Sequence, residues 1–246
     1  MTIQTKYRLN HKLIMKIDIL SQPDDSSCGP TSLHAVYAYM GHKISLESLL
    51  EEVRSLSDGG TLAVLLGLDA LKRGFKAEIH SYNLRIFDPT WHKLDRNSLV
   101  DKLQLQLVYK TGKKFTEATN AYIHFLKAGG ILSFEDLTQD LLLKYFKINL
   151  PVLAGLNSNY LYKSAREYLK SDNKSICDDI KGEPQGHFVV LHGMTGKDKI
   201  MVADPYIKNP ISETNYYQVD VNRLINAIHL GIVTYDANLL IISKRS

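Results

Sequence analysis

From Cys28 to Gly74 apolar residues recur at helical spacing, whereas beyond Pro151 they gather into short unbroken runs. Leu33, Val36, Tyr37 and Met40 fall at i, i+3, i+4 and i+7, one face of a helix that follows Ser26-Ser27-Cys28-Gly29-Pro30 and stops at Gly41. A second short helix starts at Ser45, whose hydroxyl can cap it, and turns Leu49, Leu50 and Val53 inward. A third begins after Thr61 and ends at Gly74. Helical spacing returns at Leu99 to Leu107 and at Ala118 to Leu126, where Gly129-Gly130 supplies the stop.

The later runs, Val152 to Leu156, Phe188 to Leu191, Ile200 to Ala203 and Leu239 to Ile242, are strand candidates. Lys16 to Ile19 alternates and reads as an early strand. Helix-rich first half, sheet-rich second half and no Pro-, Gly- or Ser-rich linker together predict one α+β domain over residues 1–246. It is expected to have two lobes, a cleft between them and a helical insertion around residues 83–147.

Composition narrows the class. A chain of 246 residues with 44% hydrophobic content can bury a large core. Its 30 Lys and Arg against 26 Asp and Glu give a formal +4 without any run of like charge, so no nucleic-acid partner is expected. The longest apolar stretches, such as Leu62 to Leu68, are too short for a transmembrane segment. Lys12 ahead of Leu13-Ile14-Met15 imitates a signal peptide, but Lys16 and Asp18 break the hydrophobic run. Two cysteines, Cys28 and Cys177, are too few for a disulfide framework and point to a reducing cytoplasm.

Cys28 stands at a polar helix start rather than on the apolar stripe where a core cysteine would sit. A thiol is a good nucleophile only as thiolate, and unpaired N–H groups in the first turn favour the sulfur anion. Ser27 is placed to cap that turn, and Pro30 fits within it because a first-turn residue has no intrahelical N–H bond to lose.

Gly186-His187-Phe188-Val189-Val190-Leu191-His192-Gly193 followed by Lys199-Ile200-Met201-Val202-Ala203-Asp204-Pro205 reads as an antiparallel hairpin. With Gly193 to Asp198 as the connection and His192 paired with Lys199, His187 faces Asp204 directly. Opposed residues have Cβ atoms roughly 4.5–5.5 Å apart, close enough for a carboxylate to accept from an imidazole N–H. That bond fixes the tautomer and frees the other nitrogen for the thiol.

His192, five residues on, falls on the opposite strand face and reads as a packed or surface histidine. His34 lies off the helix stripe, and His11, His42, His80, His92, His124 and His229 have no adjacent partner motif. Gln22, six residues before Cys28, carries an amide that can reach back toward the thiol. With the Cys28 backbone N–H it would bind an oxyanion.

The stretch Gln22-Pro23-Asp24-Asp25-Ser26-Ser27-Cys28-Gly29-Pro30-Thr31-Ser32 resembles the active-site opening of C39-type, bacteriocin-processing-like cysteine peptidases. Gly186-His187-Phe188-Val189-Val190 and Val202-Ala203-Asp204-Pro205 are similar to that family's His and Asp blocks, in the same order. The resemblance extends to the helix between Gly59-Gly60-Thr61 and Gly74. It implies a papain-like fold with Gln22 in the oxyanion hole, Cys28 as nucleophile, His187 as base and Asp204 as its orienter. A peptide or peptide-like substrate follows.

Neither H-E-x-x-H nor paired C-x-x-C occurs, so no metal or other cofactor is expected. Two other readings keep the same cleft: an acyltransferase that hands the acyl group to an amine or thiol, and a catalytically silent peptide-binding module. A redox role for Cys28 and Cys177 is weaker, since neither lies in C-x-x-C. Asp24, Asp25, Asp178, Asp179 and Glu183 flank the catalytic blocks and read as solvated loop carboxylates in preference to a basic-substrate site.

Overall fold

The computed structural model describes residues 13–56, 60–169 and 175–245; His11, Lys12 and Gly59 lie outside them. In chain order come β1 (Leu13–Ile14), α1 (Cys28–Tyr39), α2 (Leu46–Glu52), α3 (Ala63–Lys72) and β2 (Lys76–Ser81). Next are α4 (Arg96–Tyr109), α5 (Lys113–Lys127), β3 (Ile131–Ser133), α6 (Gln139–Lys147), β4 (Val152–Asn157) and α7 (Ser158–Tyr162). The last part holds β5 (Glu167–Leu169), β6 (Ser175–Cys177), β7 (Gly186–Thr195), β8 (Lys199–Ala203), β9 (Tyr216–Asp220), α8 (Val221–Leu230) and β10 (Asn238–Ser243).

The helices form where the apolar stripe and the caps agree. Leu33, Val36 and Tyr37 of α1 are fully buried, and α1 and α3 stop ahead of Gly41 and Gly74. The Ser45 hydroxyl accepts from the Ser48 N–H at 3.1 Å, the cap expected for α2. Asp95, Thr138 and Asp220 cap α4, α6 and α8 in the same manner.

The main sheet runs β3-β2-β10-β4-β7-β8-β9, with β1 pairing β7. Its ladders are antiparallel except for β2 with β3. Helices α1, α3 and α8 pack onto it. All six residues of β4 are buried, which is why this strand reads as an apolar run with no alternation. The result is the expected papain-like α+β arrangement, a helix-rich N-terminal region on a largely antiparallel sheet.

Three readings need correction. First, β2 and β3 come from the first half of the chain, and β2 sits inside the sheet between β3 and β10. Six residues, Lys76-Ala77-Glu78-Ile79-His80-Ser81, gave too short an alternation to stand out. Second, among the described residues the early strand is Leu13–Ile14 and does not extend over residues 16–19. The alternation at 15–19 does express itself as burial of Met15, Ile17 and Ile19, but bonds to the His192 carbonyl and the Tyr216 hydroxyl replace a ladder. Third, β9 and the separate β5–β6 pair were not anticipated. Within 83–147, α4, α5 and α6 supply Leu103, Phe125 and Phe146 to the same apolar core as α1 and β7.

Candidate active site

Cys28 is the first residue of α1, and the close seat of that helix on the sheet starts with its neighbour. A Cβ on Gly29 would lie 2.2 Å from Thr61 Cγ2 and 3.3 Å from the Phe188 ring, so only glycine permits this approach. One turn on, the buried Ser32 hydroxyl donates to the Phe188 carbonyl at 3.2 Å, tying α1 to β7 one residue beyond His187. Ser27 occupies the N-cap position, yet its hydroxyl makes no cap bond to the helix. It turns instead to Asp24, whose carboxyl it helps hold below the usual carboxylate range. The same carboxylate accepts from the Ser26 N–H and hydroxyl at 2.8 and 2.7 Å.

His187 is the second residue of β7 and lies opposite Leu156 of β4. The register expected for the hairpin is not the one formed. Leu191 pairs with Val202, Gly193 with Met201 and Thr195 with Lys199, leaving His192 as an extra residue at a bulge. β7 therefore runs three residues further than expected, and the ladder ends at the Val190–Ala203 pair. His187 and Asp204 are not opposed partners. Their side chains meet all the same, with His187 Nε2 donating to Asp204 Oδ1 at 2.8 Å.

Asp204 is fully buried and fully served. Oδ1 also accepts from the Tyr206 N–H at 2.8 Å, and Oδ2 accepts from the Tyr162 and Tyr217 hydroxyls at 2.7 Å each. Burial alone would raise its pKa, but His187 and the two phenols outweigh it, and the carboxyl stays below its ordinary value. Burial likewise opposes charge on His187. Asp204 and the Cys28 thiol outweigh it and raise the imidazole to about 10. With Nε2 committed to Asp204, Nδ1 is the ring nitrogen left for the Cys28 thiol, whose proximity helps raise the imidazole. Burial and the adjacent carboxylate push the Tyr162 and Tyr217 phenols far above their usual range, so both remain donors.

Gln22 lines the same cavity as Cys28 and His187, which measures about 590 Å³. Its backbone N–H donates to the Pro205 carbonyl at 2.9 Å, fastening this loop to the residue after Asp204. One amide N–H is spent on the Asp24 carbonyl at 2.8 Å, so only the second is available toward the thiol. His192 is buried, donates from Nδ1 to the Met15 carbonyl at 2.8 Å, and is held below its ordinary value by burial. His34 donates to the Ile44 carbonyl at 3.1 Å. Cys177 is exposed on β6.

Tyr162, Tyr206, Tyr217 and a buried carboxylate, Asp236, belong to this site and were missed. No local spacing marks Tyr162, Tyr217 and Asp236, which lie far along the chain from the residues they meet, and Tyr206 serves Asp204 only through its backbone N–H. Among the described residues no group of three or more His, Cys, Asp or Glu is placed to hold a metal. None of the described helices is long and apolar enough to cross a membrane.

A thiol at a helix start facing an imidazole on a sheet strand across a cleft is the arrangement of the papain-like class. Residues 14–227 match the Peptidase_C39 like family, and the chain belongs to it. Solved structures similar to it include a protein from Bacillus anthracis described as a C39-like peptidase, 15% identical over 96% of this chain and 100% of that one, with a TM-score of 0.49. Another is a double glycine motif protease from an AMS/PCAT transporter in complex with the leader peptide, 16% identical over 94% of both chains, with a TM-score of 0.45. The peptidase domain of Streptococcus ComA, a bi-functional ABC transporter of a quorum sensing pathway, is 15% identical over 94% of this chain and 100% of that one, with a TM-score of 0.45. Among curated proteins, none matches this chain.

Proposed function

We propose that this protein is a cysteine peptidase-like amide hydrolase acting on a peptide or peptide-like substrate. The observation that carries the reading is the bond from His187 Nε2 to the buried Asp204, with the Cys28 thiol close enough to the ring to help raise it. Cys28 gives its proton to His187 Nδ1 and attacks the amide carbonyl. The first-turn N–H of Cys28 and the second amide N–H of Gln22 receive the oxyanion. His187 then protonates the leaving amine, and the C–N bond breaks to leave a thioester on Cys28. Water attacks that thioester, His187 takes the water's proton, and the acid product departs with the thiol restored.

Asp204 holds the ring and supports its charge without exchanging protons. Family membership supports the peptidase class, and the buried relay supports these residue roles. The test is a cleavage screen against peptide mixtures with the Cys28→Ala protein alongside, each run in water and with added amine acceptors. Turnover that survives Cys28→Ala would remove the thiol from the reaction. Products carrying the added amine would assign acyl transfer instead of hydrolysis.

A further inference from the structure

One wall of the cavity is not used by this mechanism. It is formed where Asp236 reaches the space next to the catalytic strand, and the backbone there is built for the carboxylate. A Cβ on Gly186, the residue before His187, would lie 2.0 Å from Asp236 Oδ2, and a Cβ on Gly155 of β4 would lie 2.4 Å from the Asp236 carbonyl. Two neighbouring strands thus lack side chains at the positions where this segment abuts them. Asp236 is only 5% exposed, yet it borders the same cavity as Cys28 and His187.

Burying a carboxylate is costly unless something compensates it. The Thr234 hydroxyl, which donates to the Gly231 carbonyl at 3.1 Å, lies beside it and lowers it, as do Lys114 and His187 through their charge. Even so, burial dominates and raises the group to about 7. Asp24, Asp25 and Glu167 border the same cavity, so carboxylates outnumber the cationic groups Lys114 and His187 on its wall. A positively charged guest would meet more acidic than basic groups on this wall, a buried carboxylate among them.

We propose that Asp236 is the floor of a subsite that receives a basic side chain, lysine or arginine, of the peptide substrate. The proposal rests on the amide-cleaving role of Cys28 and adds the substrate class. Charge complementarity in a partly desolvated cavity gives selectivity because the neutral isostere leaves the carboxylate's solvation loss uncompensated.

The test uses acetylated, amidated pentaalanine peptides carrying one arginine or its neutral isostere citrulline at each position in turn. Protection of Cys28 from iodoacetamide is followed by mass spectrometry. For at least one position, the arginine peptide is expected to protect at a concentration ten-fold or more below its citrulline twin. Asp236→Asn should erase that ratio, and Asp236→Ser serves if the asparagine variant does not fold. Because the ratio is taken within each protein, changes in thiol reactivity cancel. Equal or absent protection by the twins at every position, or a preference that survives loss of the carboxylate, overturns the subsite and leaves the role of Cys28 intact. Alkylation of Cys28 no faster than that of Cys177 would instead overturn the amide-cleaving reading, and the substrate class with it.

Discussion

His187 and Asp204 meet at 2.8 Å although the β7–β8 ladder ends at Ala203 and never pairs them. What holds Asp204 in place is its second oxygen, gripped by Tyr162 from α7 and Tyr217 from β9. The relay is therefore assembled by three elements converging on one carboxylate.

Asp204→Asn should fold, lower kcat by disturbing the imidazole tautomer, and change the pH dependence of stability. The folded imidazole lies above its unfolded value, so its contribution is fully present below about 6.5 and is lost as pH rises through about 10. Urea midpoints measured from pH 6 to 11 should fall along that limb in wild type. In Asp204→Asn they should start lower and fall less. A kcat and an alkaline limb both unchanged would take Asp204 out of the relay.

Tyr217→Phe keeps the ring and removes one bond to a buried carboxylate, a loss of about 1.5–3 kcal/mol for a hydrogen bond to a charged group. Asp204 lies below its ordinary value in the fold, so its contribution is present above the unfolded value of 3.8 and is lost as pH falls through the folded one. With a donor gone, the acid limb of stability should move to higher pH. An acid limb identical to wild type would show that the phenol does not support the charge.

Gly29→Ala gains about 1 kcal/mol of helix propensity in isolation, but its methyl collides with Thr61 Cγ2. The collision should win, because both groups are held by rigid backbone. Melting temperature should drop by several degrees and Cys28 should lose alignment with His187. Thr61→Ser removes the offending methyl, so the double variant should regain stability; no recovery would place the strain elsewhere.

Iodoacetamide at neutral pH should alkylate buried Cys28 at least ten-fold faster than exposed Cys177, with rates followed by peptide mass mapping. Accessibility alone predicts the reverse order, so the result separates chemical activation from exposure. His187→Ala should abolish the difference, whereas His192→Ala, whose ring is spent on Met15, should leave it.

Much of this was legible locally. The stripe of Leu33, Val36, Tyr37 and Met40, the stops at Gly41 and Gly74, and the apolar runs of β4, β7, β8 and β10 all follow from spacing of 3.6 or 2 and from backbone chemistry. The order of the Gln22–Cys28, His187 and Asp204 blocks was legible too, because each block is contiguous. The bulge at His192 was not, since a single extra residue shifts register without changing composition. Neither were the clasp of Tyr162 and Tyr217 on Asp204, the place of β2 inside the sheet, or the approach of Asp236 to Gly186. Asp236 stands fifty positions beyond Gly186 in the chain. Such contacts arise only when distant strands pack, and no periodicity within one segment encodes which other segment will lie against it.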